Sequence, residues 1–165
     1  MSIPVINAGV SGDTTAGGLA RVDAQVLSQN PRIVVICLGA NDLGQGIPAA
    51  TTRENLQNII NKVDNGERKI YLAKFYTEAV ARALAAQYGL ADYAAQTAII
   101  NQYDAIFRAL ASENNGVTLI EDIWNGVWGL HMSDAVHPDA KGYELMANNI
   151  FTVLQPYLRE NDLLK

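Results

Sequence analysis

An aspartate and a histidine lie three positions apart near the end of the chain, at Asp134 and His137. A carboxylate at that spacing can reach back to the imidazole, accept its Nδ1–H, fix the tautomer and stabilise an imidazolium. Pro138 suits the first position of a helix, and apolar residues then recur at helical spacing: Tyr143, Leu145, Met146, Ile150, Val153 and Leu154. The pattern predicts a general-base pair on a loop held at one end by a helix. The alternative is a surface aspartate in a turn, beside a histidine that caps the helix.

Two glycine-containing loops carry further candidates. Gly9–Thr15 lacks the lysine and the spacing of a P-loop, so nucleotide binding is not predicted. It is either a plain turn into a helix or a loop whose Gly12 N–H donates to an oxyanion. Gly39–Asp42 is likewise either an Asn-Asp turn or a loop whose Asn41 amide is a second oxyanion donor.

The elements that must position these residues alternate between strand and helix. Strands are predicted over Ile3–Ala8, Arg32–Leu38, Lys69–Lys74 and Val117–Glu121. Helices are predicted over Ala16–Ser28, after a capping box at Thr51–Glu54, and from Pro138 to about Tyr157. Two further helices are predicted within Glu78–Asn114, with a break near Gly89 and with Asp92 as the cap of the second. This alternation predicts an α/β fold with a parallel sheet, in which ligands bind beyond the carboxyl ends of the strands. Every candidate follows a predicted strand, so one cleft would collect them.

The strand predicted over Arg32–Leu38 is apolar at nearly every position. A continuous apolar run is typical of a parallel strand that is buried on both faces. The one cysteine of the chain, Cys37, lies in this run and is therefore expected to be a buried small hydrophobe.

Size and composition predict one globular domain over residues 1–165. Hydrophobic residues make up 49% of the chain and charged residues 18%, which excludes disorder. A net charge of −5 gives no electrostatic support for a nucleic-acid or membrane partner, and no apolar run has membrane-spanning length. Met1–Pro4 lacks the features of a signal peptide, so a cytoplasmic location is expected for the chain as written, with a secreted or periplasmic location as the alternative if upstream residues were lost.

Three stretches together resemble sequence blocks of the SGNH, or GDSL-type, hydrolase family. They are Asn7–Thr14, Leu38–Asp42 and Asp134–Tyr143, and the resemblance runs from Ile3 to the final helix. It implies a flavodoxin-like three-layer α/β/α sandwich. It also implies hydrolysis of a small ester or thioester through an acyl-enzyme, with no metal or other cofactor.

The same resemblance assigns a role to each candidate. Gly12 and Asn41 would be oxyanion-hole donors, His137 the general base and acid, and Asp134 its orienting partner. His131 is disfavoured because it has no acid three residues earlier and no helix start after it.

The chain departs from the family in having no Gly-Asp-Ser nucleophile block. Its first matching block starts at Asn7, so neither the family's first strand nor its serine precedes it. None of the other nearby hydroxyls has the strand-to-helix elbow of such a nucleophile: Ser11, Thr14, Thr15 and Ser133. We therefore expect weak or absent acyl-enzyme formation, with a truncated product of a longer gene as the alternative.

The missing strand also predicts how the chain assembles. The strands that begin at Ile3 and Arg32 would each lose a neighbour and leave backbone N–H and C=O groups open. These strands are expected either to pair directly or to accept a strand from a neighbouring molecule, which predicts a homo-oligomer with possible strand exchange.

Two other functions remain open. One is a non-catalytic module on the same fold that binds a small ligand or serves in assembly. The other is a metal-dependent phosphoesterase that uses Asp13, Asp42, Asp134 and His137.

Overall fold

The computed structural model describes residues 3–75, 93–134 and 137–164, with the first four residues of the second range given by their backbone alone. The strands are β1 Ile33–Ile36, β2 Lys69–Ala73 and β3 Val117–Ile120. The helices are α1 Thr15–Gln25, α2 Ala40–Gly44, α3 Ala49–Val63, α4 Tyr93–Glu113 and α5 Ala140–Glu160, with a 3-10 turn at Leu27–Gln29.

The three strands form one parallel sheet in the order β1-β2-β3. Ile33 lies opposite Lys69, and Ile70 lies opposite Val117. Because successive side chains of a strand point to opposite faces, each face of the sheet has its own core. One face packs on α1, α3 and α4, and its buried sheet residues are Val34, Ile36, Ile70 and Leu72.

The opposite face packs on α5 and on the segment that follows β3. Its buried residues include Tyr71, Ala73 and Ile120 from the sheet and Met146 from α5. With helices on both faces of a parallel sheet, the predicted α/β/α sandwich is confirmed. Within the described ranges, no helix is both long enough and apolar enough to cross a membrane.

The prediction of a strand over Ile3–Ala8 is wrong. Residues 3–10 form neither strand nor helix, and Val5 is 91% exposed. A strand exists only where another strand completes its hydrogen bonds, and β1 pairs with β2 alone in the described part of the chain. Direct pairing of this segment with the strand after Arg32 is therefore wrong as well. The supply of a strand by a neighbouring molecule stays a prediction.

The prediction that β1 is buried on both faces is also wrong. Val34 and Ile36 are buried, but Val35 is 37% exposed and Cys37 is exposed. The protein around Cys37 nevertheless desolvates its thiol enough to raise the pKa to about 11.

The other helix and strand boundaries agree with those predicted from the sequence or differ from them by a few residues. The strands predicted at Lys69 and Val117, the helix predicted from Ala16 and the final helix are present. The second helix predicted within Glu78–Asn114 is present as α4, whereas Gly89 and Asp92 lie outside the described residues.

Three local predictions need correction. The loop predicted after Gly39 contains the short helix α2. Helix α3 begins at Ala49, before the predicted capping box, because Pro48 takes the N-cap position. Helix α5 begins after the N-cap Asp139, so Pro138 precedes the helix.

Candidate active site

The predicted carboxylate–imidazole pair is present. The Nδ1 atom of His137 lies 2.8 Å from Oδ2 and 3.1 Å from Oδ1 of Asp134. The backbone N–H of His137 also donates to Oδ1 of Asp134, at 2.8 Å. The His137 side chain is 65% exposed. The carboxylate can therefore hold the ring by Nδ1 while the ring remains accessible, which is the arrangement that a general base requires.

A narrow loop presents this pair. Its base is closed by an antiparallel bridge between Met132 and Pro138 and by the Asp139 N–H, which donates to the His131 carbonyl at 3.0 Å. Asp139 then caps α5 by accepting the Gly142 N–H at 2.7 Å. The loop is thus continuous with the start of α5, as the sequence predicted in outline.

The longer segment between β3 and this loop is fixed at two points. The indole N–H of Trp124 donates to the Phe75 carbonyl at 2.6 Å, and the two rings meet edge to face with centroids 5.3 Å apart. The Asn149 amide of α5 donates to the carbonyls of Ile123 and Asn125, at 3.0 and 2.9 Å. These contacts fix the segment to the carboxyl end of β2 and to α5.

Gly12 and Asn41, the predicted oxyanion donors, belong to one hydrogen-bonded unit. Gly12 has φ +76°, a left-handed conformation that favours glycine. The Asn41 amide donates to the carbonyl of Asp13, the residue that follows Gly12, at 2.8 Å. Arg21 holds the same loop, since it donates to the Asp13 carboxylate at 2.5 Å and to the carbonyl of Ala8. An amide has two N–H groups, so one of those on Asn41 already serves to position the loop.

A buried carboxylate supports this part of the molecule, although the sequence indicated it only as a possible metal ligand. Asp42 is fully buried and accepts the Thr15 N–H at 2.8 Å, the Thr15 hydroxyl, and the Thr52 hydroxyl at 3.1 Å. It therefore joins the first turns of α1 and α3 to α2. A signal for it exists, because Thr52 precedes Leu56 by four residues and is polar on the apolar face of the helix.

Hydrogen bonds connect the four predicted site residues as two pairs. Asn41 is bound to the Gly12 loop, and His137 is bound to Asp134. Each pair lies in a segment that follows the carboxyl end of a strand, β1 for Asn41 and β3 for His137. Gly12 does not follow a strand, in contrast to the prediction. For His131, the distance from Nδ1 to the nearest carboxylate, Asp139 Oδ2, is 3.7 Å.

Three of the four nearby hydroxyls have structural hydrogen bonds. Thr14 caps α1 by accepting the Gly17 N–H, and Thr15 donates to Asp42. The Ser133 hydroxyl donates to the carbonyls of His137 and Pro138, at 3.0 and 3.3 Å. Ser11 is exposed in a turn. Among the described residues, no three histidine, cysteine, aspartate or glutamate side chains form a group that could hold a metal ion.

The fold is a three-layer α/β/α sandwich whose loops carry an acid–base pair, and comparison with known proteins identifies the family. The chain belongs to the GDSL-like lipase/acylhydrolase family, whose model matches residues 1–145. The predicted SGNH/GDSL membership is confirmed.

Two relatives and one solved structure illustrate the likeness. The chain is 29% identical to esterase TesA of Pseudomonas aeruginosa over 157 residues, which cover 93% of this chain and 71% of the relative. It is 28% identical to thioesterase 1/protease 1/lysophospholipase L1 of Escherichia coli over 161 residues, covering 95% and 70%. A solved structure of TesA superposes with a TM-score of 0.74, covering 93% of this chain and 78% of that one.

Proposed function

We propose that this chain is an ester-hydrolase domain that retains the acid–base pair and the oxyanion donors of acyl transfer but lacks the nucleophile. His137 would move the proton, with Asp134 orienting it, and Gly12 and Asn41 would donate to the oxyanion of a small ester or thioester. The observation that supports this proposal is the two-oxygen contact of Asp134 with Nδ1 of an exposed His137, in a chain of this family.

The sequence and the hydrogen bonds of the nearby hydroxyls support the absence of a nucleophile. The chain has no Gly-Asp-Ser, and Thr14, Thr15 and Ser133 already use their hydroxyls in caps and loops. A hydroxyl attacks well only when a base accepts its proton at hydrogen-bond distance. An enzyme without its nucleophile keeps only the residual catalysis of its oxyanion hole and binding site.

The first test is hydrolysis of p-nitrophenyl acetate and butyrate by the native chain beside His137→Ala and Ser11→Ala. We expect the three rates to agree within about threefold. Without a nucleophile the native rate is already low, so a further substitution can lower it only slightly. A native rate far above both variants would contradict the proposal and identify Ser11 as a relocated nucleophile. A rate lost only in His137→Ala would show that His137 activates water or attacks directly.

A covalent probe tests the same point independently of turnover. A fluorophosphonate reacts with an activated serine and adds its mass to the chain, so intact-mass spectrometry reads the result directly. We expect no adduct after prolonged incubation. An adduct that maps to one serine and disappears in His137→Ala would contradict the absence of a nucleophile.

A second candidate function is a non-catalytic module that binds a small acyl ligand. The hydrogen-bonded state of three of the four nearby hydroxyls favours it. The probe is the p-nitroanilide of butyric acid, an amide that resists hydrolysis, with binding measured by calorimetry. Binding that Asn41→Ala weakens, without ester turnover, would support this function.

A further inference from the structure

Strand β1 has one open edge. It pairs with β2 on one side, and on the other side no strand of the described chain completes its backbone hydrogen bonds. Val35 and Cys37 are exposed on this strand and directly after it, although both belong to an apolar run. An open edge with apolar side chains is a template on which another extended segment can add.

The same chain carries a short apolar segment that pairs with no strand within the described residues. In Ile3–Ile6 three residues are exposed isoleucine or valine, with exposed fractions of 37% for Ile3, 91% for Val5 and 57% for Ile6. The segment is four residues long, and so is β1. Just after it, the bond from Arg21 to the Ala8 carbonyl fixes the chain to α1. The chain is therefore held two residues after Ile6.

We propose that two copies of this chain form a dimer in which Ile3–Ile6 of each copy adds to the open β1 edge of the other. A reciprocal exchange of this kind is self-complementary, so one contact surface closes the open edge of both copies. Strand addition satisfies the open N–H and C=O groups and covers the exposed apolar side chains in the same step. The inference is independent of whether the chain hydrolyses esters.

Pro4 determines how the segment can add. The backbone groups of successive residues in a strand point alternately to its two sides, and proline has no N–H to donate. Pro4 must therefore face away from β1, which leaves Ile3 and Val5 to form the hydrogen bonds. The outer side of the added segment is then interrupted by Pro4, so a further strand cannot add. Assembly stops at two copies.

The test compares two proline substitutions that differ only in the direction of the lost N–H. Val5→Pro removes an N–H that points to β1, whereas Ile6→Pro removes one that points outward. Molecular mass is measured by light scattering after size-exclusion chromatography, at chain concentrations from micromolar to submillimolar. We expect the native chain and Ile6→Pro to become dimers, and we expect Val5→Pro to raise the dimer Kd about tenfold or more, because each dimer loses two backbone hydrogen bonds.

Two results would overturn the proposal. The first is a native chain that stays monomeric throughout the range. The second is a Val5→Pro dimer as tight as the Ile6→Pro dimer, which would place the contact on another surface. Because Val5 is 91% exposed, its substitution leaves the monomer core intact. Labelling of Cys37 by an aromatic disulfide gives a second readout, which we expect to slow in parallel with dimer formation.

Discussion

At the scale of single residues, the buried carboxylate of Asp42 explains why the predicted oxyanion loop has a defined position. Its oxygens accept one backbone N–H and two hydroxyls, from Thr15 and Thr52. Asn55 adds a bond to the Thr15 hydroxyl at 3.0 Å. A buried charge is tolerated only when its hydrogen bonds are satisfied, so this residue depends on all of these partners.

We predict that Asp42→Asn lowers the free energy of unfolding by about 2–4 kcal/mol, because an amide keeps one acceptor oxygen but presents an N–H to groups that donate. Urea denaturation followed by circular dichroism measures the loss. The matched control is Asp23→Asn, whose carboxylate is 62% exposed and pairs with Lys62 on the surface; here the change should stay within about 1 kcal/mol. Equal losses for the two variants would show that Asp42 is not the support described.

At the scale of elements, the first turn of α5 and the loop of His137 are packed without free space. A Cβ built on Gly142 would lie 2.4 Å from the His131 carbonyl oxygen and 2.8 Å from Cβ of Pro138. The two ends of the segment that carries Asp134 and His137 are therefore in close contact with the first turn of α5. Because the packing is close, one methyl group added at Gly142 is expected to displace these neighbours.

We predict that Gly142→Ala destabilises the chain by about 1–3 kcal/mol, because the His131 carbonyl and Pro138 must move to admit the methyl group. Thermal unfolding measures the loss. Gly44→Ala, in α2, is the control, since nothing lies within 4 Å of its Cβ and its φ is not positive. That variant should be neutral or slightly more stable, because alanine favours the helix. A neutral Gly142→Ala would contradict the close packing of α5 on the loop.

At the scale of the whole molecule, a charged network joins the ends of β2 and β3 to α4. The ammonium of Lys74 is 7% exposed and lies 2.6 Å from Asp104 and 3.1 Å from Glu121. Arg108 bonds the same two carboxylates. Partial burial acts to raise the pKa of Asp104, but the hydrogen bonds and charges of Lys74 and Arg108 outweigh it, so the pKa lies below its usual value.

We predict that Asp104→Asn lowers the free energy of unfolding near neutral pH by about 1–3 kcal/mol, because it leaves the buried Lys74 with one carboxylate partner. A depressed folded-state pKa contributes stability above the unfolded value, about 3.9, and that contribution disappears as the pH falls through the folded value. The gap between native and variant should therefore close below about pH 4. Denaturation curves at several pH values measure it, and a gap that is independent of pH would contradict the ion-pair explanation.

Much of the candidate site was predictable because its signals are local. A three-residue spacing allows Asp134 to reach back to His137 whatever the rest of the chain does, and the structure has that contact. The left-handed conformation of Gly12 follows from local turn chemistry in the same way, whereas the bond from the Asn41 amide to Asp13 joins two distant segments. Asp42 was missed as a support because its partners come from two other helices, α1 and α3, and their meeting depends on packing that no single segment encodes.

The sequence by itself determined the alternation of strands and helices and the pairing of Asp134 with His137, since each depends on residues close along the chain. The tertiary structure alone decided that Ile3–Ala8 is not a strand, that Val35 and Cys37 are exposed, and that Thr52 binds Asp42. The physical reason is that a strand is completed only by the hydrogen bonds of a neighbouring strand, and a side chain is buried only by what packs on it. Both depend on segments that are distant in sequence.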